Sequence, residues 1–149
     1  ERLQKSLEVS RKNGFAAYVA AQDQFNLLER DYERTLQPTL VEKSLSQLPY
    51  FGLARGFLTG KYRPGKSVDS MRAGGMSSYQ NERGWALLSK MDNLAGKYQT
   101  TVSAISLAWL RAQPSVAAPI ASARTLEQLK EIMPVVALST EELQTLTNS

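Results

Sequence analysis

Three short apolar runs, Tyr18–Gln22, Leu45–Phe51 and Val116–Ile120, alternate with stretches of helical periodicity, and this alternation constrains the fold of the 149 residues most tightly. Strands separated by helices pair in parallel and connect by right-handed crossovers. The periodicity predicts helices over Arg2–Asn13, Tyr32–Lys43, Trp85–Tyr98, Val102–Gln113 and Thr125–Ile132, with a short last helix opening at Ser139. Local signals agree with these bounds. Asn13-Gly14 and Pro114 read as stops, Pro38 as a break, Thr101 or Thr100 and Thr125 as caps, and Ser139-x-x-Glu142 as a capping box. Pro49, inside the second run, is tolerated near a strand end. Trp85 and Trp109 are expected in helix cores. Three strands make a poor complete sheet but suit part of a (β/α)8 barrel, which runs to about 250 residues when whole.

Composition removes several chemistries. The chain has no cysteine and no histidine. Disulfides, thiolate metal sites, a Ser-His-Asp triad, a His-ligated zinc and an imidazole base are therefore excluded within these residues. Lys and Arg number 18 against 14 Asp and Glu, a net charge of +4 with no long like-signed run. Such an excess suits a solvated surface or an anionic small molecule, and no nucleic-acid motif accompanies it. No stretch approaches the roughly 20 apolar residues of a membrane span. The charged, helix-like opening does not read as a secretory signal, and a cytoplasmic protein from which upstream sequence was removed is expected.

In a parallel α/β sheet, ligands sit beyond the carboxyl ends of the strands. The first run ends at Gln22, whose amide can pair with another amide or with neighbouring backbone. The second ends at Tyr50-Phe51-Gly52-Leu53, where Tyr50 offers a flat face to a ring or packs in the core, and where Gly52 and Gly56 allow close backbone approach. Lys61 and Arg72 add positive charge to the long Gly-, Ser- and Arg-rich loop over residues 52–84. The third run ends at Ile120-Ala121-Ser122-Ala123-Arg124 before a helix start, either an anion site with Arg124 as donor or a capped helix with an exposed Arg. Together these ends suit an elongated, doubly anionic ligand with a ring at one end, such as a dinucleotide. No Gly-x-Gly-x-x-Gly follows a strand, which argues against a Rossmann site.

These strand ends resemble the aldo-keto reductase family. Pro49-Tyr-Phe-Gly-Leu-Ala-Arg-Gly-Phe-Leu-Thr-Gly-Lys-Tyr62 is similar to the family's seventh-strand segment, and Gln22-Asp-Gln-Phe-Asn-Leu-Leu28 to its sixth-strand motif. Ile120-Ala-Ser-Ala-Arg-Thr-Leu-Glu-Gln-Leu-Lys-Glu131 resembles the eighth strand and its helix, and Ser106-Leu-Ala-Trp-Leu110 their usual helical partner. The nearest branch holds bacterial oxidoreductases and potassium-channel beta subunits. The resemblance implies an α/β fold forming the C-terminal portion of a (β/α)8 TIM barrel, about strands 6–8 with helices 5–8, with residues 52–84 as a cofactor lid.

The same resemblance implies NADP(H) as cofactor and a small carbonyl compound as substrate once the barrel is complete. Gln22 would bind the nicotinamide carboxamide and Tyr50 would stack on the ring. Phe51, Gly52, Leu53, Ala54 and Arg55 would line the diphosphate, with Lys61 and Arg72 closing over it. Ser122 and Arg124 would meet the adenosine 2′-phosphate, and Gln128 and Glu131 the adenine. The chain departs from the family where Phe51-Gly52 replaces Ser-Pro and where Ile132 replaces Asn. The family's catalytic Asp, Tyr, Lys and His lie on early strands, so no catalytic residue is assigned. A partial barrel would expose unpaired edges and would self-associate or pair with its missing N-terminal half. The alternatives are a non-catalytic cofactor-sensing or interaction module and a truncated structural remnant.

Overall fold

The three apolar runs lie side by side and parallel, as their alternation with helices requires. In the computed structural model, which describes residues 1–65 and 77–149, the regular pairing is shorter than the runs themselves. Strand β1 (Ala20–Ala21) pairs in parallel with β2 (Ser46–Gln47), Ala20 opposite Ser46 and Ala21 opposite Gln47. Single parallel bridges extend the pairing at Gln24–Tyr50 and join the third run at Gln47–Val116. The order is therefore first, second, third run.

The third run was expected as a strand over Val116–Ile120; it is a single bridge, and two prolines explain why. Gln47 N–H donates to Ser115 O (2.7 Å) and Ala117 N–H to Gln47 O (2.9 Å). The next rung would need the N–H groups of Pro49 and Pro119, and proline has none. The chain skips that rung, and Ile120 N–H reaches Pro49 O at 2.8 Å.

Helix α1 (Arg2–Asn13) ends where Gly14 turns left-handed at φ 65°, a conformation that costs glycine nothing. The helix expected over Tyr32–Lys43 is two, α2 (Tyr32–Thr35) and α3 (Gln37–Glu42). Pro38, in the first turn of α3, cannot donate to the Arg34 carbonyl, and its ring crowds it. Helix α4 runs over Glu82–Lys97, three residues earlier than its apolar spacing indicates, because Asn81 caps it by accepting from Gly84 N–H (3.0 Å). Helix α5 (Val102–Arg111) is capped by Thr101, α6 (Leu126–Ile132) by Thr125 and α7 (Thr140–Thr147) by Ser139, each as its sequence signalled. Within 52–84, short 3₁₀ turns lie in Ala54–Thr59, interrupted by a kink at Arg55 and Gly56, and at Ser77–Tyr79.

The core gathers between the parallel runs and the helices behind them. Trp109 is fully buried against Phe25, ring centroids 5.3 Å apart, and Phe25 lies 4.8 Å from Tyr32. Helix α5 carries no exposed face: every residue from Ser103 to Leu110 is buried. Trp85 is half-buried and lies against Phe57 at 5.3 Å. Among the described residues, no helix is long and apolar enough to cross a membrane.

Helix α7 is fastened by one carboxylate. Glu142 closes the capping box with Ser139 N–H (2.7 Å) and also accepts from Lys97 Nζ (2.7 Å) and Tyr98 OH (2.7 Å) at the end of α4. Lys97 first and Tyr98 next hold its carboxyl down to about 2, from 4.5. The folded state thus favours the ionised form. That stability is complete above about pH 4.5 and is lost as the pH falls toward 2. On the order of 2–3 kcal/mol should disappear across this window. Urea denaturation at a series of pH values should show a shallower acid decline in Glu142→Gln than in the wild type; parallel curves would rule the linkage out.

Candidate functional site

The ends of the second and third runs face one another across a cavity of about 640 Å³. That volume lies in the range of small-molecule and cofactor sites, roughly 300–1,000 Å³. One wall is the loop after β2. Its backbone is unusual: Phe51 (φ 56°), Ala54 (φ 46°) and Arg55 (φ 56°) are left-handed without being glycine, and Gly56 follows at φ 101°. Left-handed non-glycine residues each cost on the order of 1 kcal/mol or more, and they persist where the surroundings hold them.

Here the surroundings can be named. Asn26, fully buried, donates from Nδ2 to Phe51 O at 2.9 Å, while its Oδ1 accepts from the N–H groups of Leu28 (2.9 Å) and Glu29 (3.0 Å). Ser106, fully buried in α5, donates to Gly52 O at 3.1 Å. Ala54 N–H closes on Phe51 O and Gly56 N–H on Leu53 O, both at 2.8 Å. The loop is thus pinned from the first run on one side and from α5 on the other.

Side chains follow from that backbone. The Arg55 guanidinium lies over the Phe51 ring at 4.7 Å, and Phe51 meets Tyr50 edge-on at 5.1 Å. Lys61 is exposed, its Nζ 5.0 Å from the Tyr62 ring. Behind the loop, Tyr79 OH donates to Glu29 Oε1 at 2.8 Å. Burial first, and Glu29 second, push the Tyr79 hydroxyl up to about 12, with Arg55 opposing. Tyr79 is therefore a neutral donor across the ordinary pH range.

The opposite wall is Ile120, Ala121, Ser122 and Arg124 with Gln128, Glu131 and Ile132 of α6. Gln128 Oε1 accepts from Arg124 N–H at 2.9 Å, so this side chain braces the turn as well as facing the cavity. The floor between the walls is the start of α5. Thr101 Oγ1 donates to Glu131 O at 2.6 Å, tying that start to α6.

Of the residues expected at a ligand, Tyr50, Phe51, Gly52, Leu53, Arg55 and Lys61 line the first wall, and Ser122, Arg124, Gln128 and Glu131 the second. Ala54 is fully buried beneath the loop rather than at the cavity surface. Gln22 is exposed and stands outside the cavity lining. Arg72 lies outside the described residues. Sequence reasoning missed Thr59, Gly60 and Ser103, which also line the cavity, and the two clamps Asn26 and Ser106. For Ser103 and Ser106 a signal existed: two hydroxyls three residues apart in an otherwise apolar helix lie on one face.

Residues 1–149 match the family model described as the aldo/keto reductase family. The chain belongs to this family. It is 29% identical over 140 residues to the uncharacterized oxidoreductase YrpG of Bacillus subtilis, covering 94% of this chain and 42% of that protein. It is 25% identical over 139 residues to versiconal hemiacetal acetate reductase of Aspergillus parasiticus, covering 89% of this chain and 40% of that one. The chain thus spans about two fifths of the length of these relatives. Among solved aldo/keto reductase-like structures, the glycerol dehydrogenase of Gluconobacter oxydans superposes with a TM-score of 0.75 at 23% identity, over 95% of this chain and 44% of that one. A thermostable aldo-keto reductase gives 0.67 at 24% identity, over 95% and 43%. These neighbours are TIM barrels of the aldo-keto reductase type, and the described chain is α/β.

Proposed function

We propose that this chain is the NADPH-holding, C-terminal portion of an aldo-keto reductase barrel, corresponding to about strands 6–8, which reduces small aldehydes or ketones when the catalytic strands are present. One observation carries the reading: a single cavity draws together the ends of the second and third runs, with Arg55 and Lys61 on one wall and Arg124 on the other. Cations on both walls suit a ligand that is anionic at two places.

The residues present fit such a cofactor. Arg124, with Ser122, would hold the 2′-phosphate, and Gln128 and Glu131 the adenine. The loop from Phe51 to Arg55 would carry the diphosphate, with Lys61 over it. Tyr50, at the mouth of the same wall, would bear on the nicotinamide. When bound, the cofactor supplies hydride. The protein's part is to bind and orient: the pinned left-handed loop fixes where Arg55 stands before any ligand arrives, which lowers the ordering cost of binding. Gln22, exposed and apart from the cavity, carries no part of this reading.

Partner and reaction follow the same proposal. Val19 and Val135 are 78% and 80% exposed, and Phe15, Tyr18 and Met133 are also open. Such surface suits pairing with an N-terminal portion or with a second copy. Titrating NADPH fluorescence against the chain tests the reading. Saturable binding is expected, weakened about tenfold or more by Arg124→Ala for NADPH but not for NADH. Adding the N-terminal portion in trans should then yield carbonyl reduction. Binding that never supports turnover would favour a sensor, and no binding at all would leave a structural remnant.

A further inference from the structure

We propose that Ser103 is an additional cofactor-binding residue, its hydroxyl donating to a diphosphate oxygen of the bound dinucleotide; this rests on the dinucleotide reading of the cavity. Ser103 lines the cavity, is 1% exposed, and its Oγ has no hydrogen-bond partner among the described residues. A buried hydroxyl without a partner is disfavoured, so its presence beside a cavity points to a partner that arrives with a ligand.

Its position selects the part of the ligand. Ser106, one turn further along the same face of α5, is spent on Gly52 O. Thr101, just before α5, is spent on Glu131 O and on capping Ala104 N–H. Val102 packs against Gly60, where a Cβ would stand 3.1 Å from Val102 Cγ2. The start of α5 is therefore held to both walls, and Ser103 sits between the Arg55–Lys61 side and the Arg124 side. The loop proposed to carry the diphosphate is the one held against this stretch of α5, through Ser106 to Gly52 and Val102 to Gly60. The positive end of this ten-residue helix points the same way, since capping uses the N–H of Ala104 and Ile105 bonds to Thr101 O, leaving those of Val102 and Ser103 for an outside acceptor.

Three probes separate the claims: NADPH by fluorescence, and ADP-ribose and adenosine 2′-monophosphate by competition against it. ADP-ribose carries the diphosphate; adenosine 2′-monophosphate carries the 2′-phosphate and no phosphate on the 5′ side. Ser103→Ala is expected to raise the Kd for NADPH and ADP-ribose about tenfold, the scale of one lost hydrogen bond to a charged group. It should leave adenosine 2′-monophosphate within about twofold. The ligand-free variant should melt no lower than the wild type, because the substitution removes an unpaired buried hydroxyl. Unchanged affinities for all three probes would overturn the assignment while leaving the dinucleotide reading intact. Weaker binding of adenosine 2′-monophosphate as well, or a lowered melting temperature, would also overturn it by making Ser103 structural. Failure of the wild type to bind NADPH would bring down both.

Discussion

Gly84→Ala should lower the melting temperature by roughly 10 °C, corresponding to a loss of about 2–4 kcal/mol. A Cβ at Gly84 would stand 1.9 Å from Tyr79 O and 3.0 Å from Phe57 Cζ. The first is backbone, so no rotamer change relieves it. The helix start must instead move off the Ser77–Tyr79 turn, stretching the Asn81 cap and the Tyr79–Glu29 hydrogen bond. Alanine's better helix propensity returns only about 1 kcal/mol. Gly96, in the same helix, supplies the control: a Cβ there would meet nothing within 4 Å, so Gly96→Ala should be neutral or stabilising. Thermal denaturation followed by circular dichroism reads both. Equal melting temperatures for Gly84→Ala and the wild type would contradict the close packing of α4 on that turn.

The second large effect is expected at Asn26. Asn26→Ala removes the donor to Phe51 O and the acceptor for Leu28 and Glu29 N–H at a fully buried position. Phe51 O keeps its bond from Ala54 N–H and Glu29 N–H its bond to Asn26 O, so Leu28 N–H alone is left without a partner. Leaving that group unpaired costs about 1–3 kcal/mol, and a net loss of about 2 kcal/mol is expected in urea denaturation. The site should suffer beyond the stability. Phe51 is left-handed, and without its clamp the turn that stations Arg55 loses its anchor on the first-run side. NADPH affinity should therefore fall in the folded variant. A loss under about 1 kcal/mol with unchanged affinity would show that Ser106 and the turn's own hydrogen bonds suffice.

These two residues also mark where sequence reading succeeds and where it stops. Signals that act within one helical turn were legible: the Gly14 stop, the Thr101 and Thr125 caps and the Ser139–Glu142 box all form. The ends of the second and third runs were legible as cavity walls, since parallel strands carry their carboxyl ends to one side, whereas Gln22, expected with them, lies outside the lining. Asn26 was not, because its partner Phe51 lies 25 residues away, and neither was Ser106, whose partner Gly52 is 54 away. Gly84 gave no sign because its neighbour is the carbonyl of a turn outside the helix. The left-handed run at Phe51, Ala54 and Arg55 was hidden because only glycine announces such a conformation in sequence. Pro49 was weighed alone; the shortened third strand needed Pro49 and Pro119 opposite one another, which only the register reveals.

That facing pair of prolines separates two kinds of freedom. Up to Gln47 and Val116 an insertion or deletion would shift a shared ladder and every residue beyond it. Past the missing rung, the Ile120–Arg124 wall is joined to its neighbour by one backbone bond, Ile120 to Pro49, and residues 121–124 can change length or shape without moving the sheet. The wall that carries Arg124 is thus open to evolutionary variation in a way the loop after β2, pinned from both sides, is not.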